Sequence, residues 1–346
     1  MKPTKIILLS IVFNYLMYSS VFAQEPIVLE TELPKTSSFI FKTTVIDNRI
    51  EQSDFGFIQK GAFNKYTPVF FQNGIEKDLE NFLNKKILDS INPSLINEEL
   101  IIRLNFFRIA EQTGGMSEKG FFKYNADYFL KSNNGYVLLK QIDTLFQVRA
   151  MDVTNKLLRK IGDNLFLLNQ SISKENLIGK QSYSLSNIIK FDSIQKKTIP
   201  IYNTTKYNDG FFNSWNSLKM NKPTSSSSIT YDEKKSRFYY LKKNGKIDFI
   251  VEAEDSIYAI CYKGKIYVSN GENFFPAEFK NNNFFITAKG DKRVNQGGAF
   301  AAQMMFGIIG RAIYESSSPN IWYLYRINYR NGELLTEKEV TYIENK

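Results

Sequence analysis

Apolar and polar residues alternate with two different periods along this chain. From position 75 the apolar residues Ile75, Leu79, Phe82, Leu83, Ile87 and Ile91 form a helical stripe, with Glu76, Glu80 and Lys85 off it. Asn73-Gly74 opens this helix, and Asn92-Pro93 ends it, because the residue before a proline is pushed out of the helical region. From 100 to 110 the period becomes two: Leu100, Ile102, Leu104 and Phe106 share one face, opposite Arg103 and Asn105. Residues 39–47, 121–130 and 136–142 read as further strands, and Asn133-Asn134-Gly135 marks a hairpin between the last two. The helical period returns over 152–168, where Val153, Leu157, Leu158, Ile161 and Leu165 point inward. Residues 48–73, with Gly56, Gly61 and Pro68, read as loop, and Gly114-Gly115 as a turn.

The second half of the chain carries short β-branched and aromatic runs at 238–241, 247–251, 256–261, 265–268, 284–287, 321–328 and 333–340. Asn244-Gly245, Lys263-Gly264, Asn270-Gly271, 281–283 and Asn331-Gly332 punctuate them as turns. The pattern predicts an α+β protein: a helix-on-antiparallel-sheet sandwich over 24–170, a linker with a short helix over 171–228, and a mostly antiparallel β domain over 229–346.

The first 23 residues stand apart. Lys2 and Lys5 precede a compact apolar run over 6–17, and Val21-Phe22-Ala23 places small residues at both positions read by a signal peptidase. The run is shorter than the roughly 20 residues that span a bilayer. The expectation is a cleaved signal peptide, a mature chain starting at Gln24, and a periplasmic or secreted location without a transmembrane helix. No Cys stands near the cleavage site to take a lipid anchor.

Composition then limits the chemistry. The 346 residues contain no His. That removes Ser-His-Asp and Cys-His catalysis and every His-ligated metal or haem centre. Cys261 is the single cysteine, so it has no internal disulfide partner, and its apolar setting reads as a small buried side chain. No cofactor or metal is expected. The formal net charge of +10 falls to +8 once Lys2 and Lys5 are removed. The basic residues are scattered in pairs such as Lys85-Lys86 and Lys242-Lys243, without the aromatic signature of an RNA-binding sheet. Nucleic acid is therefore not the expected partner; an envelope protein or a glycan is.

The remaining motifs are weak. No Gly-Lys-Ser/Thr loop, Gly-x-Ser-x-Gly elbow or calcium loop occurs. Glu252, Glu254 and Asp255 lie together and could flank a sugar, as glycosidase carboxylates do, but neighbours at a strand end commonly form a solvated turn. Glu111 follows the strand at 100–110 without a supported role. The aromatic groups at 211–215 and 321–325 are either stacking surfaces or core, and core is the favoured reading. Residues 297–311 are small, apolar and Gly-rich, interrupted by Gln303 and Arg311; they read as an element buried on the sheet, with membrane insertion as the alternative. No catalytic, binding or metal residue is assigned. The expected role is a non-catalytic binding or interaction module, and the alternative is a His-free, carboxylate-based hydrolase acting on glycans.

Three resemblances accompany this reading. Asp89-Ser90-Ile91, Asp143-Thr144-Leu145, Asp192-Ser193-Ile194 and Asp255-Ser256-Ile257 resemble the O-glycosylation acceptor pattern of exported Bacteroidetes proteins. The stretch from Tyr207-Asn208-Asp209-Gly210 through Phe211-Phe212-Asn213-Ser214-Trp215 to Asn221-Lys222-Pro223 resembles a segment of uncharacterised exported Bacteroidetes proteins. That likeness implies a compartment and lineage. Val45-Ile46-Asp47-Asn48-Arg49, a Gly-containing loop, the amphipathic helix and the strand at 100–110 are similar in order to envelope lipoprotein domains of the curli-secretion type. Those domains are usually lipidated, and the acceptor Cys is absent from this chain.

Overall fold

A computed structural model describes residues 24–32, 41–50, 52–60, 65–88, 98–113, 117–172, 180–225, 228–235, 237–241, 246–251, 257–271, 273–289 and 321–341. The fold is α+β and rich in strands. It divides into two compact units, 1–131 with 139–179, and 132–138 with 180–346. The segment at 1–23, Glu252, Glu254 and Asp255, and the stretch at 297–311 lie outside the described residues.

The first unit runs β1 (Glu25–Pro26), β2 (Phe41–Asp47), β3 (Phe57–Lys60), β4 (Lys65–Phe70), α1 (Ile75–Leu88), β5 (Glu98–Thr113), β6 (Glu118–Ser132), β7 (Gly135–Ala150) and α2 (Thr154–Gln170). Its main sheet has the order β2-β5-β6-β7. Leu100, Ile102, Leu104, Phe107 and Ile109 of β5 and Phe122, Tyr124, Ala126 and Tyr128 of β6 face Ile75, Leu79 and Leu83 of α1 and Leu157, Ile161 and Leu165 of α2. Of the two predicted stripes, Ile75, Leu79 and Leu83 in α1 and Leu157, Ile161 and Leu165 in α2 are buried, with Val153 just before α2, Phe82 and Leu158 are partly buried, and Ile91 lies outside the described residues. The β5–β6 pair is antiparallel, as expected, whereas β2 pairs with β5 in parallel. The helix α1 in the connection carries the chain back to the starting end, which a parallel pair requires.

Residues 48–73 differ from their loop reading. They hold the hairpin β3–β4, with Phe57 opposite Pro68 and Lys60 opposite Lys65, and Pro26 of β1 beside Phe70. Proline and glycine hid this hairpin in the sequence. Gly56 serves a close approach: its φ is +93°, and a Cβ there would stand 1.7 Å from the Ile109 carbonyl oxygen. That contact runs β3 along the far half of β5, beyond the reach of β2.

The opposite face of β5 and β6 buries polar side chains beside the apolar pair Ile101 and Phe129. Arg103 Nη1 donates to Asp127 Oδ2 at 3.0 Å and to Asn105 Oδ1 at 2.6 Å. Gln141 Nε2 donates to the other Asp127 oxygen at 2.9 Å. Arg103 and Asp127 are 1% and 0% exposed, so each charge depends on the other.

The second unit contains β8 (Ser182–Tyr183), α3 (Leu185–Ile189), α4 (Phe191–Lys196), β9 (Gly210–Phe212), α5 (Trp215–Lys219), β10 (Ile229–Asp232), β11 (Arg237–Leu241), β12 (Ile247–Ile250), β13 (Ala259–Tyr262), β14 (Lys265–Ser269), β15 (Phe274–Lys280), β16 (Asn283–Lys289), β17 (Ile321–Ile327) and β18 (Leu334–Thr341). A seven-stranded antiparallel sheet has the order β18-β17-β16-β15-β14-β13-β9, beside a smaller sheet β10-β11-β12. Residues of opposite parity feed two cores. Ala259, Cys261, Ile266 and Val268 pack with Ile199, Ile201, Tyr202, Trp215 and Leu218, while Ile260 and Tyr267 pack with Phe211, Phe238 and Val251. The stretch at 171–228, expected as a linker with a short helix, therefore supplies core side chains from several short elements. Its polar and Lys-rich surface concealed Ile188, Phe191, Ile199 and Ile201, all buried.

The predicted hairpin turns are met by backbone geometry. Lys263 and Gly264 have φ of +51° and +71°, and Asn281 and Asn282 +49° and +58°, the double positive φ of tight two-residue turns. β15 went unread because Pro276 interrupts Phe274–Lys280.

Candidate functional site

A polar cavity of about 680 Å³ lies in the first unit between the segment at 25–30, β3 and the N-terminus of α2. Its wall carries the carboxylates of Glu25, Glu30, Glu118 and Asp152, the ammonium of Lys60, and the hydroxyl of Thr154. Four acids facing one base is the reverse of the charge balance of the whole chain.

Local structure explains each position. Glu25 and Glu30 belong to an extended segment threaded over α2. Ile27 N–H donates to the Phe70 carbonyl at 2.8 Å, and Thr31 Oγ1 donates to Asp163 Oδ1 at 2.6 Å. Gly162 makes room for this segment, since a Cβ there would stand 2.0 Å from the Glu30 carbonyl oxygen. Lys60 pairs with Glu25. Glu118 reaches from β6 to the helix, where its Oε2 accepts the Val153 N–H at 3.0 Å. Val153 offers no side-chain cap of its own, so Glu118 caps α2 from outside. Gly120 on β6 lets α2 approach: a Cβ would stand 2.9 Å from the Leu157 side chain.

Glu111 is buried among these wall residues. It is 1% exposed and lies on β5 opposite Gly120. Its Oε2 accepts the Gln59 N–H at 2.8 Å, and Oε1 has no hydrogen-bond partner among the described residues. Burial pushes its carboxyl up from 4.5 to about 7, and the nearby charges of Glu118 and Asp152 push the same way. The Gln59 hydrogen bond and the Thr154 side chain offset part of that rise. No local pattern marks Glu111, because Gln59, Glu118, Asp152 and Thr154 come together around it through folding alone. A second cavity, about 670 Å³, lies along the same extended segment and is walled by Phe71, Asp78, Phe82 and Lys85.

Other sequence candidates are placed as follows. Cys261 is fully buried, and its Sγ donates to Asp209 Oδ1 at 3.3 Å. Burial first, and Asp209 second, push the thiol up to about 12, which keeps it protonated and unreactive. Phe211, Phe212 and Trp215 are buried, and Trp215 Nε1 donates to the Tyr329 carbonyl at 3.0 Å. In the second aromatic group Tyr325 is buried and Trp322 packs edge-on against Phe275. Of the glycosylation-like triplets, Thr144 lies in β7 and Ser193 in α4, while Ser90 and Ser256 fall outside the described residues. Among the described residues no three acidic or cysteine side chains are grouped to hold a metal ion, and no helix is long and apolar enough to cross a membrane.

No known protein family matches the chain, and no curated protein matches it. A crystal structure of a DUF330-family protein from Xanthomonas campestris aligns over 50% of this chain and 99% of its own, at 11% identity and a TM-score of 0.28.

Proposed function

We propose that this chain is an exported envelope protein whose role is non-catalytic binding, with the acid-walled cavity as its ligand site. The observation that carries the reading is how the wall carboxylates are held. Glu118 is spent on the α2 cap and Glu25 on Lys60, an arrangement suited to presenting fixed charge. The basic start, apolar run and Val-x-Ala site at 1–23 support export, in keeping with the Bacteroidetes lineage that the sequence likeness implies.

The test is affinity capture of mature 24–346 from crosslinked cell envelopes, run beside hydrolysis assays on envelope glycans. Retention of a defined component without turnover supports binding. Turnover abolished by Glu111→Gln overturns it. One observation favours this second reading, a His-free glycan hydrolase: Glu111, with a pKa near 7, has the proton affinity of a general acid at neutral pH.

A further inference from the structure

We propose that strand β7 pairs edge to edge with β7 of a second copy of this chain, antiparallel and centred on Phe146, joining two first-unit sheets into one.

The two edges of that sheet are treated differently. At β2 the helix α1 closes the edge: Glu80 accepts the Val45 N–H at 2.8 Å, and Glu76 the Asp47 N–H at 2.7 Å. On the other side only the beginning of β7 is paired, Tyr136 opposite Tyr183 and Val137 opposite Ser182 of β8. Among the described residues no strand lies against the outer edge of β7 from 139 to 150. Near its end the Arg149 carbonyl accepts from Lys156 Nζ at 2.8 Å. The run contains no proline. Its side chains alternate: Asp143, Leu145, Gln147 and Arg149 are exposed, while Thr144, Phe146 and Val148 are half-buried. A long regular edge of this kind is a template for another strand.

The charge pattern selects the occupant. From 140 to 152 the charged residues are Lys140, Asp143, Arg149 and Asp152, which sum to zero. Their signs are antisymmetric about Phe146: Asp143 mirrors Arg149, and Lys140 mirrors Asp152. An antiparallel pair centred there sets Asp143 opposite the partner's Arg149 and Lys140 opposite the partner's Asp152, each twice by symmetry. A centre at 145 or 147 instead leaves Asp143 and Arg149 opposite uncharged residues: Gln147 and Gln141, or Met151 and Leu145. The favoured register also brings Leu145, 44% exposed, diagonal to the partner's Leu145, within reach across a strand pair. Asp143 is already held in place by Lys123 at 2.6 Å, with its carboxylate still part-exposed. A foreign strand would need to carry the complementary pattern; a second copy carries it by symmetry.

The experiment is light scattering after size exclusion on mature 24–346 over a concentration series. The expected result is a mass that rises to twice that of one chain. Arg149→Asp sets like charges opposite each other and should weaken self-association about tenfold or more, with an unchanged circular dichroism spectrum. Cysteines at the exposed positions 145 and 147 give a readout independent of that variant. Leu145→Cys mixed with Gln147→Cys should form a crosslinked pair under mild oxidation, in higher yield than either variant alone. Cys261, buried and protonated, does not compete. A monomer at every concentration, association unchanged in Arg149→Asp, or equal crosslinking with and without mixing overturns the proposal. A monomer that loses a captured envelope protein on Arg149→Asp would give the edge to a foreign strand, and the second copy would be wrong.

Discussion

Glu80 Oε1 accepts the backbone N–H of Val45 at 2.8 Å, and so a helix side chain closes the outer edge of strand β2. The contact repeats along the edge: Glu76 accepts from Asp47 N–H at 2.7 Å, and Asn84 both accepts from Thr43 N–H at 2.9 Å and donates to its carbonyl at 2.8 Å. Residues 76, 80 and 84 step one helical turn each, about 5.4–6 Å, and residues 47, 45 and 43 step two strand residues, about 6.6 Å. The near match lets one helix satisfy alternate backbone groups of an edge that would otherwise invite pairing with another chain.

Replacing Glu80 with Ala should therefore cost about 1 kcal/mol, and Glu80→Ala with Asn84→Ala about 2–3 kcal/mol, because each change leaves a backbone N–H without its acceptor. Urea denaturation followed by far-ultraviolet circular dichroism measures the loss. The double variant should also scatter more light on storage, since its β2 edge is open. Wild-type stability in the double variant would mean that water replaces the side chains at no cost.

The same helix shows how far the sequence could be read. Ile75, Leu79 and Leu83 are buried where the stripe places them, because helical periodicity is a local property. Glu76 and Glu80 read as surface charges, because their strand partners lie 29 and 35 positions away and no local pattern records them. The hairpin β3–β4 was missed for a related reason. Its glycine and proline are punctuation in sequence, but Gly56 is required by the passing Ile109 carbonyl. The candidate cavity is further from legibility still: Gln59, Glu111, Glu118 and Asp152 sit on different elements, and burial alone distinguishes Glu111 from an ordinary surface glutamate.

The Arg103–Asp127 pair should be costly to break and insensitive to salt. Asp127→Ala leaves a guanidinium 1% exposed without its counter-charge and removes the acceptor of Gln141. Loss of one partner from a buried pair costs about 3–5 kcal/mol. Asp127→Asn, which retains one acceptor oxygen, should lose less. Chemical denaturation at 50 and 500 mM sodium chloride checks both points. A loss for Asp127→Ala that shrinks markedly in high salt would mark the pair as solvent-screened.

Glu111 makes stability fall as pH rises through neutrality. Its folded pKa, about 7, lies above the 4.5 of an unfolded glutamate, so between those values the folded state holds a proton that the unfolded state has released. Folding is favoured at the acidic end of that window, and the advantage disappears as pH passes 7. At about 1.4 kcal/mol per unit, the contribution amounts to about 3 kcal/mol. Glu111→Gln should flatten the profile between pH 5 and 8, measured by thermal melts across that range. The opposite slope, with wild type gaining stability relative to Glu111→Gln toward pH 8, would show that the carboxylate is stabilised in its charged form.

Asp209 and Cys261 should behave as one structural unit in the second domain. Asp209 Oδ1 accepts from Cys261 Sγ at 3.3 Å and from Gly264 N–H at 3.0 Å, and Oδ2 accepts from Lys263 N–H at 3.1 Å. One carboxylate thus pins the tight turn between β13 and β14 and holds the thiol protonated, with its pKa near 12. The folded protein should resist a thiol-reactive disulfide reagent at pH 8 and react fully in denaturant. Asp209→Ala should destabilise the chain by about 2–3 kcal/mol, since two backbone N–H groups lose a charged acceptor, and should speed thiol labelling by loosening the hairpin above it. Cys261→Ala should cost less, about 1 kcal/mol, because the small side chain leaves only a small void and the Asp209 turn contacts remain. Rapid labelling of the native protein at the unfolded rate would show that the hairpin opens freely and that Asp209 does not pin it.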